Sequence, residues 1–181
     1  MEPKELAESK ETSTTLFTGK IVRLEYDEVR LPNGKMATRE VIRHRGAVAV
    51  VALTDEGEIL LERQYRYPHA EVLWEIPAGK LEAGEDPAEA VKRELQEETG
   101  AVAKEWRSLG MFYPSPAILD EKIRLYLARG LTFGKRHLDE DEFLAVERVP
   151  LARAVEMILC GEIPDGKTQA AVLRVWAMQK K

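Results

Sequence analysis

The uninterrupted apolar run at residues 47–53 places the strongest constraint on how this chain folds. A strand of this composition is buried on both faces, so the sheet that contains it must be covered by other elements on each side. Further strands are predicted at residues 59–66, 123–128 and 143–149, and helices at 87–99, 151–160 and 168–178. Because strands come first and then mix with helices, we predict an α+β fold in which helices sandwich a mixed sheet.

The N-terminal part of the chain is predicted to form a small antiparallel sheet of its own. Asn33-Gly34 lies between two β-rich runs within residues 16–43, which is typical of a β-hairpin. Residues 1–15 are polar and charged, and we expect them to be flexible. The predicted organisation is therefore a flexible segment at 1–15, a hairpin subdomain at 16–45 and a main domain at 46–181.

Composition narrows the partners and the compartment. A net charge of −5 without a basic block argues against nucleic acid as a partner. Nothing approaches the roughly 20 apolar residues that cross a bilayer, and the N-terminus lacks the apolar core of a secretory signal. We therefore expect no membrane partner and a cytoplasmic protein. The single cysteine, Cys160, follows apolar residues and is expected to be buried.

The predicted helix at residues 87–99 has clear signals at both ends. Asp86 is placed to cap the N-terminus, Pro87 suits the first helical position, and Gly100 is a natural stop. Its last turns, in contrast, break several local rules. Glu94, Glu97 and Glu98 are three and four residues apart, so their like charges face one another. Two of them also lie where the helix dipole favours cations.

A divalent cation would remove these conflicts, since it would neutralise the repulsion and suit the helix dipole. Viewed along the helix axis, Glu98 falls within roughly 20° of Val91, at the edge of the face that packs on the core. A partly buried carboxylate there needs a positively charged partner. Carboxylate ligands without Cys or His favour magnesium or manganese over zinc. A solvated acidic helix end, paired with Lys92 and Arg93, is the alternative that the helix alone leaves open.

Residues on both sides of the helix start extend the pattern. Eight positions fit one register between residues 79 and 101, namely Gly79, Glu85, Arg93, Glu94, Leu95, Glu97, Glu98 and Gly100. This pattern resembles the box of the Nudix hydrolase family, with Ala101 where a larger aliphatic residue is usual. The predicted strand order also resembles the family's fold, an α/β/α sandwich with a mixed sheet, preceded here by the small antiparallel sheet.

The resemblance assigns roles to the matching positions. It implies that Glu94 and Glu98 are the main ligands of Mg²⁺, with Mn²⁺ as the alternative, that Glu97 assists, and that the carbonyl of Ala78 adds a ligand. The other matching positions support this arrangement: Glu85 and Arg93 tie the loop to the helix, Gly79 permits a tight backbone, and Gly100 ends the helix.

Residues outside the box resemble those of bacterial ADP-ribose pyrophosphatases. Pro116 lies 16 residues after Gly100, a spacing similar to that of this subfamily, although Ala117 stands where the subfamily has glycine. The resemblance implies Mg²⁺-dependent hydrolysis of the diphosphate bond of ADP-ribose to AMP and ribose 5-phosphate. It also implies a homodimer, in which N-terminal strands pack across the subunit interface.

Candidate substrate and catalytic residues follow from the same resemblance. Arg66 and Arg45 are expected to bind the diphosphate, because a planar guanidinium holds phosphate oxygens in pairs. Pro116 is expected to line the substrate site, and Glu121 to bind the second ribose. The catalytic base is expected in the acidic run at residues 139–142, as Glu142 or Glu140. Glu97 and Arg93 complete the candidate catalytic group.

Three alternatives remain at this point. In the first alternative, the enzyme hydrolyses another nucleoside diphosphate sugar, such as GDP-mannose, or a dinucleotide. In the second alternative, the chain is a nucleotide-sensing module that does not cut its ligand. Such modules typically lose glutamates of the box, whereas this chain keeps them all. In the third alternative, the acidic helix end has only a structural role. The complete match to the box argues against this alternative.

Overall fold

The chain folds into two units, which the computed structural model describes over residues 2–138 and 142–180. The N-terminal unit comprises the described residues up to Gly46 together with Tyr113–Glu121. The second unit comprises Ala47–Phe112 and the described residues from Lys122 onward. The division at Gly46 lies beside the sequence-predicted boundary, whereas the return of Tyr113–Glu121 to the first unit was not predicted.

The N-terminal unit is built on a three-stranded antiparallel sheet. A short 3-10 helix, Pro3–Leu6, precedes strands β1 (Ser9–Thr18), β2 (Arg23–Arg30) and β3 (Met36–Arg43), which lie in the order β1-β2-β3. The predicted hairpin joins β2 to β3, and its turn contains Gly34, whose φ of 81° is the left-handed conformation that suits glycine. The structure differs from the predicted flexible segment at 1–15, because Ser9–Thr18 pairs with β2. Its side chains are all exposed, so it has no hydrophobic pattern to reveal it.

The segment Tyr113–Glu121 lies beside β3 in the same unit. The Ile42 amide donates to the carbonyl of Ile118 at 2.7 Å, and the Asp120 amide donates to that of Ile42 at 3.0 Å. Within this segment the carbonyl of Ser115 closes a turn by accepting from Leu119 at 2.9 Å. Among the described non-glycine residues only Ala70 has a positive φ, so Ala117 fits this turn without the freedom of glycine.

The second unit contains two sheets and three helices. Its elements in chain order are β4 (Ala47–Ala52), β5 (Glu58–Arg66), β6 (Glu71–Glu75), β7 (Ala78–Lys80), α1 (Pro87–Thr99), β8 (Ala101–Phe112), β9 (Ile123–Phe133), β10 (Leu144–Pro150), α2 (Leu151–Leu159) and α3 (Gly166–Gln179). One sheet has the order β7-β4-β9-β8 and is mixed, because β4 and β9 run parallel. The other has the order β10-β5-β6 and is antiparallel.

Strand β4 lies between two apolar cores, as its composition predicts. Ala49 and Val51 point into a core that includes residues of α2 and α3. Val48 and Val50 point the other way, into a core that includes residues of α1. Successive residues of a strand face opposite sides, so both faces are buried by different helices. The predicted α+β sandwich with a mixed sheet is confirmed.

The helix boundaries agree closely with those predicted. Helix α1 spans the predicted residues, Asp86 accepts a hydrogen bond from the Ala88 amide at 2.8 Å, and Gly100 ends the helix with a φ of 72°. Helix α2 ends one residue before Cys160, which is exposed, so the predicted burial of this cysteine is wrong. Among the described residues, no helix combines the length and apolarity that a bilayer span requires.

Candidate active site

The loop before α1 is fastened to the helix by a paired ionic contact between Glu85 and Arg93. Arg93 Nε donates to Glu85 Oε1 at 2.9 Å, and Arg93 Nη2 donates to Glu85 Oε2 at 3.1 Å. The same carboxylate accepts from the Glu82 amide at 2.9 Å, which fixes the loop backbone. The hydrogen bonds from Arg93 hold the pKa of Glu85 below its ordinary value. The two residues that the box pattern assigns to this contact are therefore together.

The remaining nitrogen of Arg93 contacts the acidic end of the helix. Arg93 Nη1 lies 2.9 Å from Glu94 Oε1 and 2.9 Å from Glu97 Oε2. Lys92 does not take part, since it pairs with Glu89 at 2.7 Å. Glu97 is partly exposed, but only 9% of Glu94 is accessible to solvent. A fully solvated helix end, the structural alternative considered above, does not describe this arrangement.

Gly79 leaves room for the carboxylate of Glu94. A Cβ atom at this position would overlap the Cδ and both carboxylate oxygens of Glu94. Gly79 is not among the described glycines with positive φ. The position lacks a side chain because the Glu94 carboxylate fills that space, and the expected tight backbone stays a prediction.

Glu98 is buried beside the backbone of Ala78. Only 3% of Glu98 is accessible, and its Oε2 accepts a hydrogen bond from the Ala78 amide at 3.1 Å. The structure thus brings together Glu98 and Ala78, two of the predicted metal ligands. Here it is the N–H of Ala78 that makes the contact, and the predicted role of its carbonyl remains a prediction.

Two further buried carboxylates, those of Glu62 and Glu75, were missed by sequence reasoning. They are directly opposite each other in the register of β5 and β6, so their side chains share one face of the sheet. Each is only 3% accessible. The alternation of the strand could have revealed the burial of Glu62, because residues two apart in a strand share one face. Leu60, two residues earlier, packs in the core that includes residues of α1.

Glu75 has two cationic partners, Arg66 and Lys167. Arg66 Nε donates to Glu75 Oε1 at 2.6 Å and Arg66 Nη2 donates to Oε2 at 2.8 Å. Lys167 forms an ion pair with the same carboxylate and lies 3.1 Å from Asp165. Burial alone would raise the pKa of Glu75, but these two cations hold it below its ordinary value. Arg66, a predicted phosphate ligand, is thus oriented by a buried carboxylate.

Glu62 has no comparable partner. Among the described residues, its Oε1 is one of two buried side-chain polar atoms without a hydrogen bond, the other being Arg136 Nε. Burial raises the pKa of Glu62 well above its ordinary value, and the charges of Glu75 and Glu142 raise it further. The positive charges of Lys167 and Arg136 oppose this shift only in part.

The helix carboxylates are also shifted towards the protonated form. Burial raises the pKa of Glu94 to about 7, against the opposing effect of Arg93. Burial likewise raises the pKa of Glu98 well above its ordinary value, and the charges of Glu62, Glu94 and Glu142 add to the shift. An acidic cluster in this state has too little positive charge around it for all its carboxylates to ionise.

The donor set of this cluster suits a hard divalent cation, since it consists of carboxylate and backbone oxygens. In residues 2–138 and 142–180, no three His, Cys, Asp or Glu side chains are arranged as they stand to enclose a metal ion. Glu94 is held by Arg93, and Glu98 by the Ala78 amide. The unpaired oxygen of Glu62 fits a cation that would draw these oxygens together.

The other predicted site residues divide between the two units. Glu142 lies in the second unit, and its charge contributes to the raised pKa values of Glu62, Glu94 and Glu98. Glu140, the alternative base, lies outside the described residues. The predicted substrate ligands Arg45, Pro116 and Glu121 belong to the N-terminal unit. Arg45 and Pro116 are exposed, and Glu121 lies 3.3 Å from His44 Nδ1.

Comparison with known proteins gives this geometry a family context. The sequence profile of the NUDIX domain matches residues 43–172. An ADP-ribose pyrophosphatase of Bacillus subtilis (strain 168) is 44% identical over 171 residues, which cover 93% of this chain and 92% of that protein. A methanol dehydrogenase activator of Bacillus methanolicus is 46% identical over 159 residues, covering 87% and 86%. The crystal structure of an ADP compounds hydrolase shares the fold, with a TM-score of 0.85 at 23% identity over 97% of this chain and 96% of that one.

Proposed function

Because the chain belongs to the Nudix family, we propose that it hydrolyses the diphosphate bond of ADP-ribose to AMP and ribose 5-phosphate in a divalent-metal-dependent reaction. The observation that carries the proposal is the burial of Glu94 and Glu98 beside Gly79 and Ala78. Arg93 contacts Glu94 but is shared with other carboxylates, so its single charge cannot neutralise the cluster. The high identity to an ADP-ribose pyrophosphatase over nearly the whole chain supports the choice of substrate.

We propose Mg²⁺ as the metal, with Mn²⁺ as the alternative, because the donors are hard oxygens. Glu94 and Glu98 would be the principal ligands, with Glu97 and the carbonyl of Ala78 assisting. A cation bound there would neutralise the diphosphate oxygens and lower the pKa of a bound water. Arg93 supports the ligands, because it orients Glu94 and Glu97 and joins them to Glu85 in the loop.

The proton of the attacking water would pass to Glu142, with Glu140 as the alternative, in the acidic run at residues 139–142. The water oxygen would form a bond to one phosphorus, the bridging P–O bond would break, and the other phosphate would leave. Arg66 is oriented by Glu75 and would hold a diphosphate oxygen with a guanidinium N–H. Arg45, Pro116 and Glu121 are proposed to bind the remainder of the substrate.

The direct test is product analysis with purified protein. Incubation of ADP-ribose with MgCl₂ is expected to give AMP and ribose 5-phosphate, resolved by anion-exchange chromatography, whereas EDTA is expected to stop the reaction. Hydrolysis in H₂¹⁸O, followed by mass spectrometry of both products, identifies the phosphorus that the water attacks. The absence of turnover on ADP-ribose, GDP-mannose, other nucleotide sugars and dinucleotides would contradict the enzymatic proposal and favour a nucleotide-sensing module.

We also propose that the protein is a homodimer. Strand β1 lies at the edge of its sheet, and all ten of its side chains are exposed, including Leu16 and Phe17. An edge strand with exposed apolar residues is a site for pairing unless something covers it. Light scattering during gel filtration is expected to give twice the monomer mass for the wild type. The Leu16→Asp variant is expected to give a lower mass, closer to that of the monomer. A wild-type monomer at micromolar concentration would contradict the proposal.

The similarity to a methanol dehydrogenase activator supports a second candidate function, the activation of an alcohol dehydrogenase. The assay measures the turnover of a purified methanol dehydrogenase with and without this protein. Glu98→Gln tests whether any activation depends on the hydrolytic site. No change in turnover over a range of protein concentrations would contradict this second function and leave the first one standing.

A further inference from the structure

The carboxylate of Glu62 lies in the interior of the second unit without the contacts that stabilise a buried charge. The residue is 3% accessible to solvent, and its Oε1 has no hydrogen-bond partner among the described residues. A buried carboxylate normally persists only where a cation or several donors compensate for the lost hydration. Its position on β5 therefore requires a partner.

Neighbouring carboxylates all have partners. Glu75, opposite Glu62 in the strand register, binds Arg66 and Lys167. Glu94 contacts Arg93, and Glu98 accepts from the backbone of Ala78. Of these four carboxylates as described, only Glu62 has a buried oxygen without a hydrogen bond.

The position of Glu62 directs it towards the helix glutamates. Leu60, two residues earlier on the same face of β5, packs in the core that includes Val91 and Leu95 of α1. Glu98, three residues after Leu95 on the same helix, is likewise only 3% accessible. Two buried carboxylates close to each other repel strongly in a low-dielectric interior. They form a favourable arrangement only when positive charge binds between them.

The positive side chains nearby cannot supply that charge for the whole cluster. Arg66 and Lys167 are occupied by Glu75, while Arg93 is shared among Glu85, Glu94 and Glu97. Arg136 is the remaining candidate, since its Nε is also buried without a partner. One guanidinium carries a single charge, however, whereas Glu62 and Glu98 are both buried carboxylates.

We infer that Glu62 is a further ligand of the divalent cation, to which it contributes a carboxylate oxygen from β5, opposite the helix ligands Glu94 and Glu98. This inference rests on the metal dependence proposed above. It extends the metal site beyond the box, because a residue 32 positions before Glu94 joins the same set of ligands. Glu75 acts differently, as a positioning residue that binds Arg66 and Lys167.

The test measures Mn²⁺ binding to the EDTA-treated protein by electron paramagnetic resonance, without any substrate. Glu62→Gln removes the charge at nearly constant volume, and Glu62→Asp keeps the charge but withdraws it by one methylene. Both variants are expected to bind Mn²⁺ about 10- to 100-fold more weakly than the wild type. Glu147→Gln, which removes an exposed glutamate paired with Arg63, is the control and is expected to bind normally.

Each other result has a definite meaning. Wild-type affinity in both Glu62 variants would overturn the inference alone, provided that the wild type binds Mn²⁺. Wild-type affinity in Glu62→Asp alone would show that Glu62 acts through its charge and is not a ligand. Equal losses of metal-free thermal stability in Glu62→Gln and Arg136→Gln would assign Glu62 to an ion pair with Arg136 and overturn the inference. A wild type that binds no Mn²⁺ would overturn the proposed metal site itself.

Discussion

The carboxylate of Glu94 occupies the space that a Cβ atom on Gly79 would fill. Glycine is therefore required at this position by the side chain of a residue 15 positions later, and not by its own backbone angles. Since Glu94 is also held by Arg93 at 2.9 Å, the carboxylate is fixed from two sides. A change at Gly79 acts directly on a proposed metal ligand.

Gly79→Ala is expected to lower kcat/KM by about 100-fold, because a displacement of roughly 1 Å in a catalytic group has an effect of this size. The added methyl group must push the Glu94 carboxylate aside. Steady-state rates and Mn²⁺ affinity are measured together, and both are expected to fall. Gly134→Ala is the matched control, because a Cβ there meets only an ordinary contact at 3.7 Å. Equal activities of the two variants would contradict the role given to Gly79.

Glu98→Gln is expected to reduce kcat by at least about 100-fold while the fold is preserved. The glutamine oxygen can still accept the hydrogen bond from Ala78, so the local backbone contact survives. Circular dichroism and thermal melting check the fold, and an AMP-release assay gives the rate. Glu89→Gln, in the first turn of the same helix, alters an exposed residue paired with Lys92 and is expected to leave activity unchanged. Near-normal rates in Glu98→Gln would show that the metal ligands are misassigned.

The thermal stability of the metal-free protein is expected to fall as the pH rises from 4.5 through 7. Burial raises the pKa of Glu94 from 4.5 to about 7, so in this window the folded protein keeps a proton that the unfolded chain has lost. The free energy of unfolding then decreases with pH. The raised pKa values of Glu62 and Glu98 extend the decrease above pH 7.

Differential scanning fluorimetry in EDTA, at constant ionic strength, measures this effect as a decrease in Tm. With saturating Mg²⁺ the decrease is expected to be smaller, because a bound cation takes up the same carboxylates. Glu98→Gln should also flatten the metal-free profile. A Tm in EDTA that rises over this range would be inconsistent with protonated carboxylates in the folded state.

The features predicted correctly from the sequence depend on local chemistry. Helix α1 has the predicted ends because Asp86, Pro87 and Gly100 each act within one turn. The paired contact of Arg93 with Glu85 was expected from the resemblance to the Nudix box, and the two residues are only eight positions apart. The double burial of β4 followed from its composition alone.

What the sequence did not reveal depends on distant contacts. Glu62 and Glu75 meet only through the register of β5 and β6, which no short pattern specifies. Lys167 reaches Glu75 from a helix 92 residues later. Strand β1 has ten exposed side chains and therefore no hydrophobic alternation, and it joins β2 through backbone pairing and polar side-chain contacts such as that of Ser13 with Asp27. Tertiary pairing decides these features.

The contact between Glu85 and Arg93 is expected to couple the loop to the helix energetically. Arg93→Lys keeps the charge but loses the paired geometry, so it should lower both Tm and kcat/KM. In a double-mutant cycle with Glu85→Gln, we expect a coupling free energy of roughly 0.5–3 kcal/mol. Denaturant unfolding of the four proteins gives this value. Additive effects would show that the two residues act independently, despite the hydrogen bonds of 2.9 and 3.1 Å between them.

Glu142→Gln is expected to lower kcat by about 100- to 10,000-fold with little change in KM, since a general base contributes factors of this size. Its charge contributes to the raised pKa values of Glu62, Glu94 and Glu98. Glu140→Gln is made in parallel, because the sequence leaves both glutamates as candidates. Rates across pH separate a base from a structural residue: loss of the base removes the acidic limb of the kcat profile, whereas a structural change lowers the whole profile. A larger loss in Glu140→Gln would transfer the role to that residue.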